Sequence, residues 1–424
     1  MKTKVSEIAV LNAAPKKYKG VFPTIRYLDT SSVDQGKLLE FQLLDVERDV
    51  IPSRAQRAVK DGTIVISSVR PNLKHYAFLK NPAENVVVSS GFVTVDALPE
   101  RVDSKFLYYA LTSAQATKYL DSIASTAVSA YPSFNPEDLG NYVLDIPDSL
   151  EEQREIANVL SSVDEKIFNN NAICSNLEAM AKLLYDYWFV QFDFPDENGM
   201  PYKASGGKMI WNDELKREIP AGWKVKPLGE YISVIRGISY KPADELKQSS
   251  AKSVSLLKSN NIQNGTINFE QPVFLPQQLA DKNQWLTEGS VFITMSSGSK
   301  AHMGKTAIVY KDLPYVFGAF CAKIVIDDSV RGYLSTYFRS EWFRAYIENV
   351  TAGTSINNIG NDQLTNILLP FPDSDIQKCF EDYLKPMFVR QGELGTETQQ
   401  LASLRDFLLP MLMNGQVKVG KAGA

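Results

Sequence analysis

The stretch from Gly298 to Thr306 is the part of this sequence that comes nearest to a chemical motif. This stretch nearly matches the Walker A pattern through its glycines, Lys305 and the following threonine. A Walker A loop holds nucleotide phosphates at the start of a helix. The match has one residue too many between the glycines, and Thr306–Tyr310 has the composition of a strand. The pattern therefore favours a β-hairpin turn whose basic side chains can touch a phosphate backbone. A nucleotide-binding enzyme that uses Gly304-Lys305-Thr306 stays open as an alternative.

Basic and amide side chains also follow an earlier strand, at Arg70–His75. These residue types hydrogen-bond to phosphates and to base edges. A smaller basic cluster precedes this stretch, and an asparagine pair in the second half aligns with the polar loop Tyr131–Asn135 of the first. The plain alternative is that these are solvated loops. The residues from which we expect DNA contacts are Arg54, Arg57, Arg70, Asn72, Lys74, Ser297, Ser299, Lys300, His302, Lys305, Asn357 and Asn358.

Composition disfavours several kinds of chemistry. The 424 residues include only two histidines and three widely spaced cysteines, which argues against a catalytic triad, a metallohydrolase, a zinc site or disulfides. The formal net charge is −4, so any nucleic-acid surface must be a local patch. The sequence shows no signal peptide and no apolar run of membrane-spanning length. We expect a cytoplasmic protein without membrane contact, catalytic residues, bound metal or cofactor.

Aromatic side chains crowd one end of a predicted long helix, from Tyr185 to Phe194. They exceed what one helical seam can cover. This is typical either of a partner-docking face or of packing against the adjacent domain. Under the first interpretation the partner-binding residues are Tyr185, Trp188 and Phe189.

The elements that must position these residues occur twice in the sequence. The repeat is far too long for a solenoid, so it indicates a duplicated domain with pseudo-twofold symmetry. The matched segments are Asp61–Ser68 with Glu288–Met295, Gly91–Val93 with Gly318–Phe320, Thr126–Pro147 with Thr351–Pro372, and Leu177, Met180, Leu183 and Leu184 with Leu401, Leu404, Phe407 and Leu408.

Each copy is predicted to open with strands and to continue into a helix, from β-branched content and from helical spacing of apolar residues. The predicted elements of the first copy are the strands Thr63–Ser67 and Val86–Val95 and the helix Ser104–Tyr119. Those of the second copy are the strands Val291–Met295, Thr306–Tyr310 and Ala322–Ile326 and the helix Arg331–Ile347.

A long amphipathic helix closes each copy. In the first, apolar residues recur in steps of four and three over Ile156–Trp188, with Asn170 in the seam, which is typical of a coiled coil. The second repeats this seam over Phe380–Leu412 but includes Gly392 and Gly395, each of which lowers helix propensity by about 1 kcal/mol. Because one helix carries the chain onward and the other must return it, we expect an antiparallel pair.

Taken together, these features resemble the specificity subunit of type I restriction-modification enzymes. The resemblance covers essentially the whole chain. Its most specific parts are the segment Ser149–Trp223, with Glu152–Ile156 and Phe194–Gly199 inside it, and the sequence Ile219–Trp223 before the second copy. The dipeptides Ile146-Pro147 and Phe371-Pro372, each before a long helix, also fit the pattern of this family. The shortened N-terminal start departs from the common pattern.

The resemblance implies an α/β fold in which two similar mixed α/β target-recognition domains are separated by two long antiparallel coiled-coil helices, with an internal pseudo-twofold repeat. The implied domains are a first target-recognition domain (1–148), a central conserved helix (149–192), a linker (193–222), a second target-recognition domain (223–372), a C-terminal conserved helix (373–413) and a tail (414–424).

The resemblance also implies partners. Double-stranded DNA is read by the two domains, one half-site each, while two modification subunits dock on the helices and methylate adenine N6 with S-adenosylmethionine. Two restriction subunits would add ATP- and Mg-dependent chemistry, so this chain itself would bind no cofactor. Because Arg70–Asn72 differs from Ser297–Ser299, the two half-sites should differ in sequence. Their spacing should be one helical turn of DNA, roughly 34–36 Å. A coiled-coil scaffold that never touches DNA is a further alternative.

Overall fold

The computed structural model describes residues 1–13, 15–126, 132–263, 265–352 and 358–420. Its tertiary contacts divide the chain into two units. Unit 1 comprises Met1–Phe168 and Gln399–Ala424, and unit 2 comprises Asn169–Thr398. The division falls within both long helices, so each unit contains one portion of each of them. Among the described residues no helix is long and apolar enough to cross a membrane.

Unit 1 combines two four-stranded sheets with short helices. Its strands are β1 Lys2–Lys4, β2 Ala9–Leu11, β3 Thr24–Leu28, β4 Val33–Asp34, β5 Lys37–Leu38, β6 Gln42–Asp45, β7 Ala55–Arg57, β8 Thr63–Ser67, β9 Tyr76–Leu79, β10 Val86–Ser89, β11 Phe92–Ala97 and β12 Val143–Asp145. Its helices are α1 Val5–Ile8, α2 Ser104–Thr112, α3 Ala114–Thr126, α4 Pro136–Gly140 and the first part of α5 Leu150–Tyr185.

The two sheets of unit 1 have their most apolar strands in interior positions. The antiparallel sheet has the order β2-β11-β8-β9, and the second sheet has the order β6-β3-β10-β7 with β3 and β10 parallel. All five residues of β8 are buried, as expected of a central strand rich in β-branched residues. Phe106 and Leu107 of α2 share one core with Ile64.

Unit 2 has the same kind of core, built from its own strands and helices. The strands are β13 Met209–Asn212, β14 Arg217–Pro220, β15 Lys224–Pro227, β16 Ile232–Arg236, β17 Ser253–Leu257, β18 Ile262–Gln263, β19 Thr266–Ile267, β20 Val273–Pro276, β21 Val291–Thr294, β22 Thr306–Ile308, β23 Tyr315–Phe317, β24 Cys321–Ile326 and β25 Leu368–Phe371. The helices are the last part of α5, α6 Arg331–Tyr337, α7 Glu341–Ala352, α8 Asn361–Thr365 and the first part of α9 Ser374–Met413, whose end lies in unit 1.

The sheets of unit 2 have the orders β16-β24-β21-β22 and β20-β17-β23. In the second sheet β17 and β23 are parallel, as β3 and β10 are in unit 1. The predicted mixed α/β composition is confirmed, and the predicted strand Thr63–Ser67 matches β8.

Three predicted elements are each two elements in the structure. The predicted strand Val86–Val95 turns at Ser90 between β10 and β11, and the predicted helix Ser104–Tyr119 breaks at Ser113. The Ser113 hydroxyl donates to the carbonyl of Ala110 and accepts from the N–H of Ala116. In unit 2, Ser340 makes the same two bonds between α6 and α7. A hydroxyl that competes for backbone groups ends one helix and caps the next.

The long helices run antiparallel within each unit. In unit 1, Arg405 of α9 donates to the Asp164 carboxylate of α5 at 3.0 Å. In unit 2, the buried Asn170 donates to Glu397 at 2.8 Å. Gly392 lies inside α9 and does not end it. A Cβ at this position would lie 3.1 Å from the Cβ of Tyr310. The small residue therefore lets that side chain approach the helix.

The predicted linker packs against unit 2. Phe194 is buried and stacks on Trp223 with ring centroids 5.2 Å apart. The guanidinium of Arg217 lies over the Phe192 ring, 4.7 Å from its centroid. The β13–β14 hairpin lies between Phe194 and Trp223 in the sequence. The predicted linker is therefore part of the fold of unit 2.

Candidate nucleic-acid interface

Three chain segments meet at one end of the β8–β11 pair in unit 1. The N–H of Ser68, just past β8, donates to the carbonyl of Gly91 at 2.9 Å. The N–H of Phe134 donates to the carbonyl of Ser68 at 3.0 Å, and Val69 bridges Ser133. The end of a buried strand, the turn before the next strand and the loop before α4 thus form one fixed corner.

The predicted DNA-contacting residues Arg70, Asn72 and Lys74 project from this corner. They lie on a 3₁₀ turn, Pro71–Leu73, and all three are exposed. Arg70 and Lys74 have φ of 49° and 57°, a left-handed conformation that is uncommon for residues other than glycine. Strained backbone of this kind is concentrated at functional sites. The N–H of Arg70 donates to the carbonyl of Pro132 at 2.8 Å, which holds the turn against the α4 loop.

Of the second basic cluster, Arg54 lies at the same corner. Its carbonyl accepts from the N–H of Ser90 at 2.7 Å, and Ser90 precedes the Gly91 that Ser68 contacts. The Arg54 side chain is exposed. Arg57, in β7, is half-buried, and its Nε is buried without a hydrogen-bond partner among the described residues. Burial lowers the pKa of the Arg57 guanidinium. The structure thus groups Arg54 with the Arg70 turn and gives Arg57 a partly buried position.

Unit 2 has the equivalent corner. The N–H groups of Met295 and Ser296, just past β21, donate to the carbonyl of Phe320 at 2.8 and 3.0 Å. The N–H of Ile359 donates to the carbonyl of Met295 at 2.7 Å, and Ser296 bridges Asn358. Asn358 is exposed at this corner, whereas Asn357 lies outside the described residues.

The loop after β21 carries the other predicted contacts. Ser299, Lys300 and His302 are exposed on or next to the 3₁₀ turn Lys300–His302, and Ser297 and Lys305 are half-buried. The loop closes where the N–H of Thr294 donates to the carbonyl of Lys305 at 2.9 Å. It is a hairpin loop between β21 and β22.

This geometry corrects the nucleotide-binding alternative. Lys305 is followed directly by the strand β22, which begins at Thr306, whereas a phosphate site of this kind requires a helix to follow the loop. The hydroxyl of Thr306 is buried and donates to the carbonyl of Phe338 at 2.9 Å. It is therefore not placed to bind a magnesium ion. Among the residues with described positions, no group of three His, Cys, Asp or Glu side chains could hold a metal.

The strand register also corrects one part of the predicted repeat. In unit 1 Ser67 pairs with Phe92, and in unit 2 the equivalent Thr294 pairs with Cys321. The position equivalent to Gly91 is therefore Phe320, not Gly318. The sequence alignment matched Gly91 with Gly318. The strand pairing moves the equivalent position in unit 2 two residues along the chain, to Phe320.

Arg236 is a further residue at the unit 2 corner that the sequence did not single out. Its side chain donates to Oδ1 of Asn361 at 2.9 Å and to the carbonyl of Ile359 at 2.5 Å. Burial lowers the pKa of this guanidinium. Arg236 thus holds the loop that carries Asn358. Its position at the end of β16 gives no periodic signal that would have revealed this role.

The aromatic cluster at the end of α5 is a core, which corrects the predicted docking face. Tyr185, Trp188 and Phe189 are each 3% exposed. The Phe189 ring lies 4.6 Å from both the Tyr333 and the Phe380 rings, centroid to centroid. These side chains are covered by unit 2 itself, so the alternative prediction, packing against the adjacent domain, describes them.

Two pairs of exposed apolar residues occupy equivalent places on the long helices instead. Met180 and Leu183 on α5, in unit 2, are 53% and 69% exposed. Leu404 and Phe407 on α9, in unit 1, are 46% and 59% exposed. The sequence repeat aligns the first pair with the second. Residues three apart on a helix lie on one face, so each pair forms a small apolar patch on its helix.

Residues 4–179 match the family model described as the type I restriction modification DNA specificity domain. The match covers the first domain and most of α5. The chain is 23% identical to the HindI specificity subunit of a type I restriction enzyme from Haemophilus influenzae, over 93% of this chain and 95% of the relative. It is 28% identical to the MjaIX specificity subunit from Methanocaldococcus jannaschii, over 86% of this chain and 79% of the relative.

The chain is therefore similar over most of its length to specificity subunits of type I restriction enzymes, and the predicted resemblance is confirmed. The fold is similar to that of one solved structure. The crystal structure of an S subunit of a type I restriction-modification system from M. genitalium has a TM-score of 0.56, at 15% identity over 97% of this chain and 95% of that chain.

Proposed function

We propose that this chain is the DNA sequence-specificity subunit of a type I restriction-modification enzyme and performs no catalysis itself. Each unit contributes one target-recognition domain, which reads one half of a bipartite, non-palindromic site. The two domains are similar and related by the internal repeat, and each unit contains a portion of both antiparallel helices α5 and α9.

One observation carries this proposal: the same three-segment corner occurs at matching strand ends in two units whose antiparallel sheets share one strand order. Each corner bears exposed basic and amide side chains, the groups that contact phosphates and base edges. The two corners differ in chemistry, since Arg70 in unit 1 is replaced by Ser297 in unit 2. Different side chains at equivalent positions read different bases, so the two half-sites differ.

The partners follow from the same proposal. Two modification subunits bind this chain and methylate adenine N6, with S-adenosylmethionine bound to them. Two restriction subunits join through them and use ATP and Mg. Exposed apolar patches commonly mark interaction sites, and the pairs Met180/Leu183 and Leu404/Phe407 are equivalent in the repeat. We place one modification subunit on each pair.

The reading of half-sites can be tested by exchanging one domain. The chain, co-purified with its modification subunit, methylates a target that is mapped by sequencing N6-methyladenine. Replacing Met1–Pro147 by the matching segment of a relative with a different target should change one half-site and leave the other intact, because each corner is built within its own unit. Exchange of residues 223–372 is the reciprocal control. Methylation without sequence preference would favour a scaffold, and a change in both halves would contradict independent reading.

Docking can be tested by placing a charge in each apolar pair. Leu183→Asp should remove one modification subunit from the complex, Phe407→Asp the other, and the double variant both, because a buried unpaired carboxylate opposes association by several kcal/mol. Native mass spectrometry measures the stoichiometry. The control is Val50→Asp, which puts the same charge at a 94% exposed position outside the helices. Retention of both subunits by the double variant would place docking elsewhere.

A further inference from the structure

Phe320 is a large apolar side chain at the tip of the unit 2 corner, and it is 69% exposed. Single exposed apolar residues are common on protein surfaces, so exposure alone decides nothing. What distinguishes Phe320 is the rigidity of its position. Its carbonyl accepts two backbone hydrogen bonds, from Met295 and Ser296, and the N–H of the preceding Ala319 donates to the carbonyl of Ile238 at 2.9 Å.

The base of this turn is equally fixed. The N–H of Gly318 donates to the carbonyl of Leu257 at 2.9 Å. Gly237 packs so closely beneath the turn that a Cβ there would lie 2.3 Å from the carbonyl oxygen of Gly318. The ring of Phe320 is thus held outward by backbone that cannot easily rearrange to bury it. A preorganised side chain loses little conformational entropy when a ligand covers it.

The surroundings of Phe320 have the chemistry of a nucleic-acid site. Ser296, which donates to the Phe320 carbonyl, is followed by the hairpin loop with the exposed Lys300 and His302, and it bridges the exposed Asn358. A corner that bears an exposed apolar ring as well as cationic and amide groups matches a DNA duplex, which offers phosphates and base edges beside apolar thymine methyls and stacked base faces.

The position in unit 1 that is equivalent to Phe320 is Gly91, which has no side chain. In the loop after β8, unit 1 has Arg70 where unit 2 has Ser297. The two corners therefore divide their readout differently. Unit 1 offers a guanidinium beside a glycine, whereas unit 2 offers an aromatic ring beside a serine.

We propose that Phe320 is a specificity-determining residue of unit 2, whose ring packs against an apolar base surface in the half-site that this unit reads. The inference rests on the proposed DNA-reading function and deepens it. Two apolar base surfaces are available: the thymine methyl in the major groove, and the base faces at a flexible step, between which apolar side chains insert.

The test uses the complex with the modification subunit and a panel of DNA duplexes with every single substitution in both half-sites. For Phe320→Ala, discrimination at one or two adjacent base pairs of one half-site should fall by about tenfold, the usual effect of one base pair. Phe320→Leu, which keeps an apolar side chain, should retain most of it. Trp211→Ala, which removes another exposed aromatic residue of unit 2 (60% exposed), should leave the pattern unchanged.

Two further arms identify the surface. If the ring contacts a thymine methyl, replacing that thymine by deoxyuridine should weaken methylation of DNA by the wild-type complex and not by Phe320→Ala. If the ring inserts at a step, 2-aminopurine placed there should change in fluorescence with the wild type only.

Unchanged discrimination by Phe320→Ala at every position would overturn the inference while leaving the proposed function intact. So would loss of a modification subunit from that variant, since the ring would then be a protein contact. Absence of sequence preference in the wild-type complex would instead remove the proposed function itself.

Discussion

Arg70→Ala should relax the half-site read by unit 1 and leave the half-site read by unit 2 unchanged. Arginine commonly contacts guanine through two hydrogen bonds, which discriminate by about 1–3 kcal/mol, equivalent to roughly 5- to 150-fold in rate or affinity. Arg70 is exposed on a turn whose backbone is fixed to Pro132, so its side chain starts from a defined place. Methylation rates of duplexes substituted at each position of the target measure the effect.

Two matched variants separate charge from base reading. Arg70→Lys keeps a cation but loses the planar fork, so it should retain overall affinity and lose discrimination. Arg101→Ala removes an exposed arginine that follows the opposite end of β11, beyond Ala97, and should behave as wild type. Equal loss at all positions in Arg70→Ala, with no change in preference, would make Arg70 a phosphate contact only.

Sequence patterns identified the elements whose burial dictates their composition. The β-branched run Thr63–Ser67 became a fully buried strand, and the seam position Asn170 became a buried polar contact between helices. Both follow from local periodicity, which a single sequence displays. The loops at the two corners were also located, because basic and amide residues follow equivalent strands.

Features that depend on contacts between distant segments could not be predicted in the same way. The sequence left open whether the aromatic residues around Trp188 form a docking face or a core, because their partners, Tyr333 and Phe380, are far away in sequence. The place of Phe320 was missed because alignment favours glycine over glycine, whereas the register of β21 against β24 sets the true equivalence. Arg236 was missed because its role exists only once the loop at Ile359 folds over it.

The buried ion pair between Glu178 and Arg339 supports the second large prediction. The Arg339 side chain is 6% exposed and pairs with Glu178 of α5. It also donates to the Tyr310 hydroxyl at 3.0 Å, and that hydroxyl donates to Gln391 of α9 at 2.9 Å. Burial raises the pKa of Tyr310, so its hydroxyl keeps its proton. The network joins both long helices to the turn between α6 and α7 and to Tyr310, just past β22.

Glu178→Ala should lower the free energy of unfolding of unit 2 by about 3–5 kcal/mol, because it leaves a buried guanidinium without its carboxylate. Arg339→Met should have a smaller effect, since Lys182 lies 3.1 Å from Glu178 and can still pair with it. The double variant should be more stable than Glu178→Ala alone. The exposed pair Arg390–Glu393 provides the control, and Glu393→Ala should change stability by less than about 1 kcal/mol.

Urea unfolding followed by tryptophan fluorescence measures these differences in unit 2 alone. All five tryptophans of the chain belong to that unit, namely Trp188, Trp211, Trp223, Trp285 and Trp342. The midpoint of the transition should move to lower urea in the order Glu393→Ala, Arg339→Met, Glu178→Ala, with the slope unchanged. Equal midpoints for Glu178→Ala and Glu393→Ala would mean that the buried pair does not stabilise unit 2. A shift that equals or exceeds that of Glu178→Ala in Arg339→Met would show that Lys182 does not compensate.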